Sequence, residues 1–529
     1  MRKGSATADA LSLPALKGEV SRARLMNKSL LERILKARVY DVAIETPLDY
    51  ARLLSQRLNN HVYLKREDLQ PVFSFKLRGA FNKIYQLTPE ERARGVVTAS
   101  AGNHAQGVAL SGSKLGIKTT IVMPKITPDI KVNNVKALGG NAVLHGNNFD
   151  EAYAYARELE LSEGMTFVHP FDDLDVIAGQ GTVAVEVLRQ HPDPIDAVFI
   201  TVGGGGLVAG MGSYIKCLYP NTKIIAVEHE EAPTLYTSLN AQKRVKLDQI
   251  GTFADGAAVK LIGEQTFELA RHVVDEVILV DTDETCAAIK DVFEATRTVL
   301  EPAGALSIAA LKKYVAANHC QGQHLIAVCS GSNISFDRLR HVAERAELGE
   351  GREILMAVTI PERPGSFRQF CEAIANRSIT EFNYRYADAR QAQVFAGIKI
   401  SGGKPERQEL VAKLQVQFGQ VIDLTDNEVA KVHLRYMVGG HAQGLNDERL
   451  YRFMFPERPG ALLHFLTSMS AGWNISLFHY RNHGSDFGRV LVGIQVPPQD
   501  HAEFQAFLAH LGYDHWDETD NPAYHAFLS

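Results

Sequence analysis

The feature that most restricts the fold is an alternation, over residues 60–340, of short apolar segments with longer helical patterns. The segments are rich in β-branched residues and nearly continuous, which is typical of strands buried on both faces of a sheet. They comprise residues 96–98, 119–122, 197–202, 224–227 and 325–328. Because helical patterns separate these strands, the sequence predicts an α/β domain with a mostly parallel sheet.

The last third of the chain contains an internal repeat. The motif P-E-R-P-G at residues 361–365 recurs at residues 456–460, and segment 379–385 corresponds to segment 475–481. Each copy shows the order strand, helix, strand, strand, which favours two α+β modules of the β-α-β-β-α-β type with helices on one face of an antiparallel sheet. The change of pattern predicts a domain boundary at residues 349–351.

Composition excludes several classes of protein. The 529 residues are 45% hydrophobic and 22% charged, which is ordinary for a globular chain and excludes wholesale disorder. The net charge of −5 argues against a general nucleic-acid partner, because such proteins offset phosphate charge with a basic surface. The sequence contains no run of 18 apolar residues, so no membrane span is expected. The first 20 residues contain no continuous apolar segment, so no cleaved signal is expected.

The cysteines indicate a reducing compartment. There are five, an odd number, and none forms a C-x-x-C pair, while the histidines form no H-E-x-x-H motif. We therefore expect reduced thiols in a cytoplasmic protein and no metal site.

Residues 74–80 contain the first candidate for chemistry. Lys76 begins a helical pattern among apolar and small residues. Partial burial disfavours the ammonium form and lowers the pKa of a lysine, and a neutral amine can form a Schiff base with an aldehyde cofactor. The alternative is a surface lysine whose alkyl chain lies along the start of a helix.

Residues 100–107 directly follow the predicted strand near residue 99, so the free N–H groups of the next helix start could bind an anion. Ser100, Asn103 and His104 would add side-chain donors. A simple N-cap with a hydrogen-bonded histidine is the alternative.

Four glycines, residues 203–206, followed by Leu207, lie between a predicted strand and an apolar helix. Such a loop brings several N–H groups to one anion, most simply a phosphate. The loop also satisfies G-x-G-x-x-A, and Glu228 lies 24 residues beyond Gly204, as in a nicotinamide dinucleotide site. That interpretation leaves residues 74–80 and 100–107 without a shared purpose, whereas an aldehyde cofactor that carries a phosphate uses all three segments.

Four motifs occur in a telling order: KREDLQPVFSFKLRGA at 65–80, SAGNHAQG at 100–107, GGGGL at 203–207 and EPAGA at 301–305. Together they resemble the catalytic domain of pyridoxal-phosphate enzymes of the tryptophan synthase β-subunit class (fold type II), and more closely that of threonine dehydratases (threonine ammonia-lyases). The duplicated C-terminal part resembles the paired ACT-like regulatory modules of the biosynthetic form, which opens isoleucine synthesis. The resemblance extends from about residue 38 to near the C-terminus.

The resemblance implies a two-lobed, three-layer catalytic domain followed by a duplicated ACT-like regulatory domain, in a homotetramer. The expected boundaries are an N-terminal extension over 1–25, a catalytic domain over 26–348 with a smaller subdomain over about 67–168, and modules over 353–430 and 448–529.

The resemblance also implies residue roles. Lys76 would form the Schiff base with the cofactor and act as the base at the substrate Cα, Asn103 would bind the pyridoxal 3′-oxygen, and the loop of Gly203, Gly204, Gly205, Gly206 and Leu207 would bind the phosphate. Ser330 would face the pyridine nitrogen, although related dehydratases carry a cysteine there and Cys329 lies one place earlier. Ser100, Ala101, Gly102 and His104 would form the substrate-carboxylate loop.

The implied reaction converts L-threonine, and secondarily L-serine, to a 2-oxo acid and ammonia, with inhibition by isoleucine and relief by valine. The candidate effector contacts are Tyr384, Arg385, Tyr480 and Arg481. Three alternatives stay open: a serine-preferring dehydratase or β-replacement enzyme on the same scaffold, a non-catalytic amino-acid sensor, and a C-terminal repeat that serves only to build an oligomer.

Overall fold

The computed structural model describes residues 11–12, 29–336, 338–375, 377–385, 390–427, 430–431, 442, 445–456, 461–470, 472–481, 487–521 and 524. The chain forms two units, Met1–Ala346 and Glu347–Ser529. Of the extension expected over residues 1–25, only residues 11–12 are described.

The larger sheet of the first unit has seven strands in the order β1-β10-β9-β8-β11-β3-β2. Their bounds are β1 Leu11–Ser12, β2 Leu48–Tyr50, β3 His61–Lys65, β8 Ala197–Thr201, β9 Lys223–His229, β10 Glu276–Val280 and β11 His324–Val328. The five inner strands are mutually parallel, and only the edge strands β1 and β2 pair antiparallel. Every residue of β8 is buried, as expected for a strand with helices on both faces.

A separate four-stranded sheet in the order β6-β5-β4-β7 forms the second lobe. It consists of β4 Val96–Ala99, β5 Thr119–Met123, β6 Asn141–Leu144 and β7 Thr166–Phe167. All of its pairs are parallel. The predicted parallel α/β architecture is therefore confirmed, and it is divided between two sheets.

Helices connect these strands. They are α1 (29–36), α2 Arg52–Leu58, α3 Lys76–Tyr85, α4 Pro89–Arg94, α5 Asn103–Leu115, α6 Asp129–Ala137, α7 Phe149–Glu163, α8 Leu174–Gln190, α9 Gly206–Leu218, α10 Thr234–Asn240, α11 Glu264–Val273, α12 Thr282–Thr296, α13 Pro302–Asn318 and α14 Arg338–Gly349. Helix α3 packs against α5 and α8. A Cβ atom on Gly107 of α5 would lie 3.0 Å from the Cα atom of Leu77, so this glycine allows α5 to lie directly beside the start of α3.

The second unit is one antiparallel sheet of eight strands in the order β15-β12-β14-β13-β17-β18-β16-β19. The first copy of the repeat supplies β12 Glu353–Pro361, α15 Ser366–Ile374, β13 Ile379–Arg385, β14 Gln391–Lys399, α16 Gly403–Phe418 and β15 Val421–Asp423. The second copy supplies β16 Glu448–Pro456, α17 Ala461–Ser468, β17 Asn474–Arg481, β18 Phe487–Gln495, α18 His501–Leu511 and β19 His515–Asp517. The predicted duplication and its order of elements are confirmed.

The two copies join through their third elements. Strand β13 pairs with β17, and Asn383 lies opposite His479, which is the corresponding position of the other copy. One apolar core extends through both copies and contains Phe370 and Phe382 of the first and Phe453 and Phe478 of the second. The repeat therefore folds as one body around a local pseudo-twofold relationship.

Within the part of the chain that the structure describes, no helix has the length and apolar character that crossing a membrane requires. All five cysteines are free thiols, and Cys286, Cys329 and Cys371 are buried.

Candidate active site

One cavity of about 1480 Å³ contains all three segments that the sequence singled out in the first unit. Residues from both sheets line it, because β4, β8 and β11 all end at its wall. The predicted residues that line it are Lys76, Ser100, Ala101, Gly102, Asn103, His104, Gly203, Gly204, Gly205, Gly206, Leu207 and Ser330. The structure thus brings together every candidate catalytic, cofactor-binding and substrate-binding residue of the first unit.

Lys76 is the first residue of α3, and its Nζ atom donates a 3.2 Å hydrogen bond to the carbonyl oxygen of Pro170. Burial lowers the pKa of Lys76 to about 8, although the nearby Glu301 carboxylate raises it in part. A substantial fraction of this lysine is therefore a neutral amine near physiological pH, which is the form that attacks an aldehyde.

Arg78, two residues after Lys76, anchors α3. Its guanidinium donates to Glu67 at 2.7 and 2.8 Å and to Glu186 at 2.7 Å, and Lys65 donates to the other Glu186 oxygen at 2.6 Å. These four side chains are fully buried, and their two positive and two negative charges balance. Such a network fixes the position of α3, because loss of one member would leave a buried charge unpaired.

The glycine loop follows β8 and leads into α9, which begins at Gly206. Gly205 has a φ of +91°, a conformation that favours glycine. A Cβ atom on Gly204 would lie 2.1 Å from the Phe171 ring, and one on Gly203 would lie 2.8 Å from the Ala257 carbonyl oxygen. The loop therefore requires glycine for space, and the N–H groups that begin a 13-residue helix make it suitable for a phosphate.

Asn103 is the first residue of α5, and two side chains orient its amide. Its Nδ2 atom donates a 2.7 Å hydrogen bond to Oε1 of Glu301, and its Oδ1 atom accepts a 2.6 Å bond from Nδ2 of Asn333. One amide hydrogen of Asn103 remains for a ligand in the cavity. Sequence reasoning did not find Glu301 or Asn333 as site residues, although Glu301 belongs to the EPAGA motif and Asn333 follows Ser330 closely.

Glu301 is only 5% exposed, and burial raises the pKa of its carboxyl group to about 7, against the opposing hydrogen bond from Asn103. A group with that pKa exchanges its proton near neutral pH, which makes Glu301 a second titratable group beside Lys76.

Ser330 follows β11 and is 4% exposed, and its Oγ atom donates a 3.3 Å hydrogen bond to the Ala303 carbonyl oxygen. Cys329 is fully buried within the core of the larger lobe and does not line the cavity. The cavity therefore presents a serine and not a thiol at the end of β11.

His104 is held by the backbone. Its Nε2 atom donates a 2.9 Å hydrogen bond to the Val168 carbonyl oxygen, and burial lowers its pKa to about 3, so the ring is neutral. Nδ1 is buried and has no hydrogen-bond partner within the described residues. Ser100 Oγ accepts a 3.3 Å bond from the Gly102 N–H, which shapes the loop before α5.

Glu228 takes no part in the cavity. Its two carboxylate oxygens accept hydrogen bonds from the N–H groups of Leu235 and Tyr236 in α10 at 2.7 and 2.8 Å, and it does not line the cavity wall. The acid that a nicotinamide site would use for a ribose is therefore already occupied by the backbone.

Asp255 connects the two lobes at the cavity wall. Its carboxylate lies 3.3 Å from Nζ of Lys131, on α6 of the smaller lobe, and 3.3 Å from Nη1 of Arg338 at the start of α14. Arg338 also donates to the carbonyl oxygen of Phe253 at 3.0 Å. This ion triad ties the wall segment at Asp255 to both lobes.

The four effector candidates lie in the second unit. Tyr384 is buried and its hydroxyl donates to the Glu362 carboxylate, which also accepts a 2.9 Å bond from Nδ2 of Asn474 in the other copy. Tyr480 is buried, and the side chains of Arg385 and Arg481 lie outside the described residues.

The Pro-Gly turn of the first copy ends at Gly365, whose φ is +89°, and leads into α15. The corresponding residues 457–460 of the second copy lie outside the described residues.

Comparisons with known proteins place both units. Residues 39–331 match the family described as pyridoxal-phosphate dependent enzyme, and residues 344–434 and 439–528 each match the C-terminal regulatory domain of threonine dehydratase. Over 502 residues the chain is 55% identical to L-threonine dehydratase biosynthetic IlvA of Burkholderia multivorans, which covers 94% of this chain and 99% of that protein.

The Escherichia coli protein of the same name is 53% identical over 499 residues, covering 94% of this chain and 97% of that protein. The solved structure of the processed form of threonine deaminase isoform 2 from Solanum lycopersicum matches with a TM-score of 0.62 and 47% identity, over 64% of this chain and 97% of that one.

Proposed function

The chain belongs to the family of biosynthetic threonine dehydratases, pyridoxal-phosphate-dependent enzymes with a C-terminal regulatory domain, and we propose that it deaminates L-threonine to 2-oxobutanoate and ammonia, the first step of isoleucine synthesis. The observation that carries this proposal is a half-buried lysine with a lowered pKa in the same cavity as a glycine loop that has no room for side chains.

The residues present fit the cofactor. Lys76 offers a neutral amine for the aldehyde, and the loop from Gly203 to Leu207 offers N–H groups for the phosphate. Asn103 offers an amide hydrogen for the 3′-oxygen, and the Ser330 hydroxyl offers a neutral partner for the ring nitrogen. When bound, pyridoxal phosphate supplies an electron sink that acidifies the substrate Cα–H.

Lys76 also carries the proton chemistry in this proposal. With the cofactor and substrate bound, the free neutral amine of Lys76 would remove the Cα proton, and its pKa near 8 suits a base that works near neutral pH. The loop from Ser100 to His104 binds the substrate carboxylate through the N–H groups that begin α5.

Ser330 directs the outcome toward elimination. Its hydroxyl would not give the ring nitrogen of a bound cofactor a full proton as a carboxylic acid could, so the ring would hold less negative charge, which would favour loss of the β-substituent over reprotonation of Cα. Ser330→Asp should therefore increase transamination relative to elimination, and an unchanged partition would contradict this role.

The proposed activity is tested by reducing the holoenzyme with borohydride and locating the adduct by peptide mass spectrometry. We expect the adduct on Lys76, keto-acid production from threonine that exceeds that from serine, and loss of both in Lys76→Ala. The matched control Lys114→Ala, on the exposed face of α5, should keep both. An adduct elsewhere, or no 2-oxobutanoate from threonine, would refute the proposal.

We further propose that the second unit binds isoleucine as inhibitor and valine as the ligand that relieves it. Support comes from the match of both copies to a regulatory domain. The candidate contacts are Tyr384, Arg385, Tyr480 and Arg481, with the N–H groups after the Pro-Gly turns as carboxylate sites.

A homotetramer in the cytoplasm completes the proposal. The free state of all five cysteines suits a reducing compartment. Sedimentation equilibrium tests the tetramer, and a dimer at micromolar concentration would contradict it.

A further inference from the structure

Two histidines and an aspartate lie close together at the end of the larger sheet where strands β3 and β11 begin. Nε2 of His191 lies 3.0 Å from Nδ1 of His324. One ring nitrogen of each histidine and one carboxylate oxygen of Asp193 lie within 4.8 Å of one another. Among the described residues this is the one group of three or more histidine, cysteine, aspartate or glutamate side chains arranged in this way.

Backbone hydrogen bonds hold His191 and His324 in place, and neighbouring aromatic rings pack against both imidazoles. His191 directly follows α8, and its N–H donates a 3.0 Å bond to the Val187 carbonyl oxygen. His324 is the first residue of β11, and its N–H donates a 2.8 Å bond to the Asp196 carboxylate. Neighbouring rings pack on each imidazole: Tyr63 lies 4.6 Å from His191 and His61 lies 4.7 Å from His324, measured between ring centres.

The spacing suits a metal ion. At a metal–nitrogen distance of about 2.0–2.1 Å, tetrahedral geometry separates two ligating nitrogens by about 3.3 Å, so the observed 3.0 Å needs to open by only a few tenths of an ångström.

The burial of the three residues also suits an ion that arrives from solution. His191 is buried, His324 is half-buried and Asp193 is exposed, so the carboxylate can close over an ion that enters beside it, and a water molecule can take the fourth position. Two imidazoles and one carboxylate are ligands that Zn²⁺, Co²⁺ and Ni²⁺ accept, whereas Mg²⁺ and Ca²⁺ prefer oxygen alone.

We propose that His191, Asp193 and His324 bind one divalent transition-metal ion, such as Zn²⁺, at the end of the larger sheet opposite the catalytic cavity. The ion joins the end of α8 to the start of β11. The other ends of the same elements reach the cavity: Ser330 follows β11, and Phe171, which lies against the glycine loop, precedes α8. Because an unfolded chain lacks the assembled site, the ion stabilises the folded unit by mass action.

The test is a titration of untagged, chelator-treated holoenzyme with Co²⁺, followed by its visible absorption, and then displacement by Zn²⁺. We expect one Co²⁺ per chain, with affinity at least about tenfold weaker in His191→Gln, His324→Gln and Asp193→Asn. His510→Gln, an exposed histidine of α18, is the matched control and should bind as the unaltered protein does.

Two further measurements distinguish this site from other metal binding. The three ligand variants should retain threonine deamination in the presence of chelator, and Zn²⁺ should raise the unfolding temperature of the unaltered protein but not of the variants. Asp193→Asn alters an exposed side chain and therefore serves if a histidine variant fails to fold. Co²⁺ affinity that is equal in all proteins, or no bound Co²⁺, overturns the proposal.

Discussion

The side-chain amide of Asn103 donates a 2.7 Å hydrogen bond to the carboxyl group of Glu301. Burial raises the pKa of this carboxyl group to about 7. In the cofactor-free folded protein this carboxyl group binds a proton between its ordinary pKa of 4.5 and about 7, whereas the unfolded chain does not. The contribution of Glu301 to the free energy of unfolding of the cofactor-free protein therefore falls as pH rises from 4.5 to about 7.

Glu301→Gln replaces the carboxyl group by a neutral group of the same shape. We expect the variant to match the unaltered cofactor-free protein in stability at pH 5 and to exceed it at pH 8 by on the order of 1–3 kcal/mol, since only the unaltered protein then buries a charge. Urea unfolding at both pH values measures the difference. Glu264→Gln, an exposed substitution at the start of α11, is the matched control. A stability difference that is equal at pH 5 and pH 8 would argue against a buried titrating carboxyl group.

The lowered pKa of Lys76 predicts how the cofactor-free protein takes up pyridoxal phosphate. Only the neutral amine attacks the aldehyde, so the rate of cofactor attachment should rise with pH with a midpoint near 8 and not near 10.5. Because Glu301 raises the pKa of Lys76, Glu301→Gln should move the midpoint to lower pH. Stopped-flow absorbance measures the rate, and a midpoint above pH 10 would show that Lys76 is not desolvated.

The sequence predicted the site residues that lie where a strand or loop leads into a helix. Lys76, Asn103 and the glycine loop each lie at a junction of strand or loop with helix, and such junctions can be read from apolar runs, small residues and glycines. The duplicated unit was equally accessible, since the repeat of P-E-R-P-G and the order of elements are visible in the chain itself.

What the sequence could not predict depends on contacts between distant parts of the chain. Glu301 and Asn333 orient Asn103 from 198 and 230 residues away. His191 and His324 are separated by 133 residues, so no motif with metal-ligand spacing marks them. The division into two sheets follows from strand pairing, which periodicity does not encode, so it was expected from the family resemblance and not from the strand pattern.

The glycine loop gives a steric prediction. In Gly204→Ala the new Cβ atom would lie 2.1 Å from the Phe171 ring, so the loop must shift away from its place. Overpacking of this kind costs about 1–3 kcal/mol. We expect the dissociation constant for pyridoxal phosphate to rise about 5- to 150-fold, because 1.4 kcal/mol corresponds to a factor of ten. Equilibrium dialysis measures it.

Gly472→Ala is the control for that experiment, because its added Cβ atom meets nothing within 4 Å. Adding Phe171→Ala to Gly204→Ala should recover part of the affinity, since it removes the ring that the Cβ atom meets. If the double variant binds no better than Gly204→Ala, the steric explanation is wrong.

The ion triad at Asp255 predicts an effect on substrate binding without an effect on stability. Lys131 and Asp255 are partly exposed, and such pairs contribute only about 0–1 kcal/mol to folding. We expect Asp255→Asn to raise the KM for threonine about three- to tenfold. Because salt screens exposed ion pairs, the KM of the unaltered protein should change with salt concentration, whereas the KM of Asp255→Asn should not. The cofactor absorption should stay unchanged. Lys131→Met should act likewise, and the double variant should add little to either single one. Additive effects would indicate that the two residues act separately.

The effector proposal is tested most directly at Tyr384, whose hydroxyl donates to the half-buried Glu362 carboxylate. Burial raises the pKa of Glu362, and the same carboxylate accepts a bond from Asn474 of the other copy. Tyr384 thus contributes to a hydrogen-bonded link between the two copies. Tyr384→Phe weakens that link and removes a candidate effector contact, so the isoleucine concentration for half-inhibition should rise about 5- to 50-fold, within the usual range of allosteric coupling.

Basal deamination without isoleucine should stay within about twofold of the unaltered protein, since only the coupling free energy changes. Tyr480→Phe, at the corresponding position of the second copy, reports which copy responds to isoleucine and which to valine. Tyr219→Phe alters an exposed tyrosine of the first unit and serves as the control. If isoleucine inhibits Tyr384→Phe and Tyr480→Phe as strongly as the control, the effector sites lie elsewhere in the second unit, because neither tyrosine then contributes to the response.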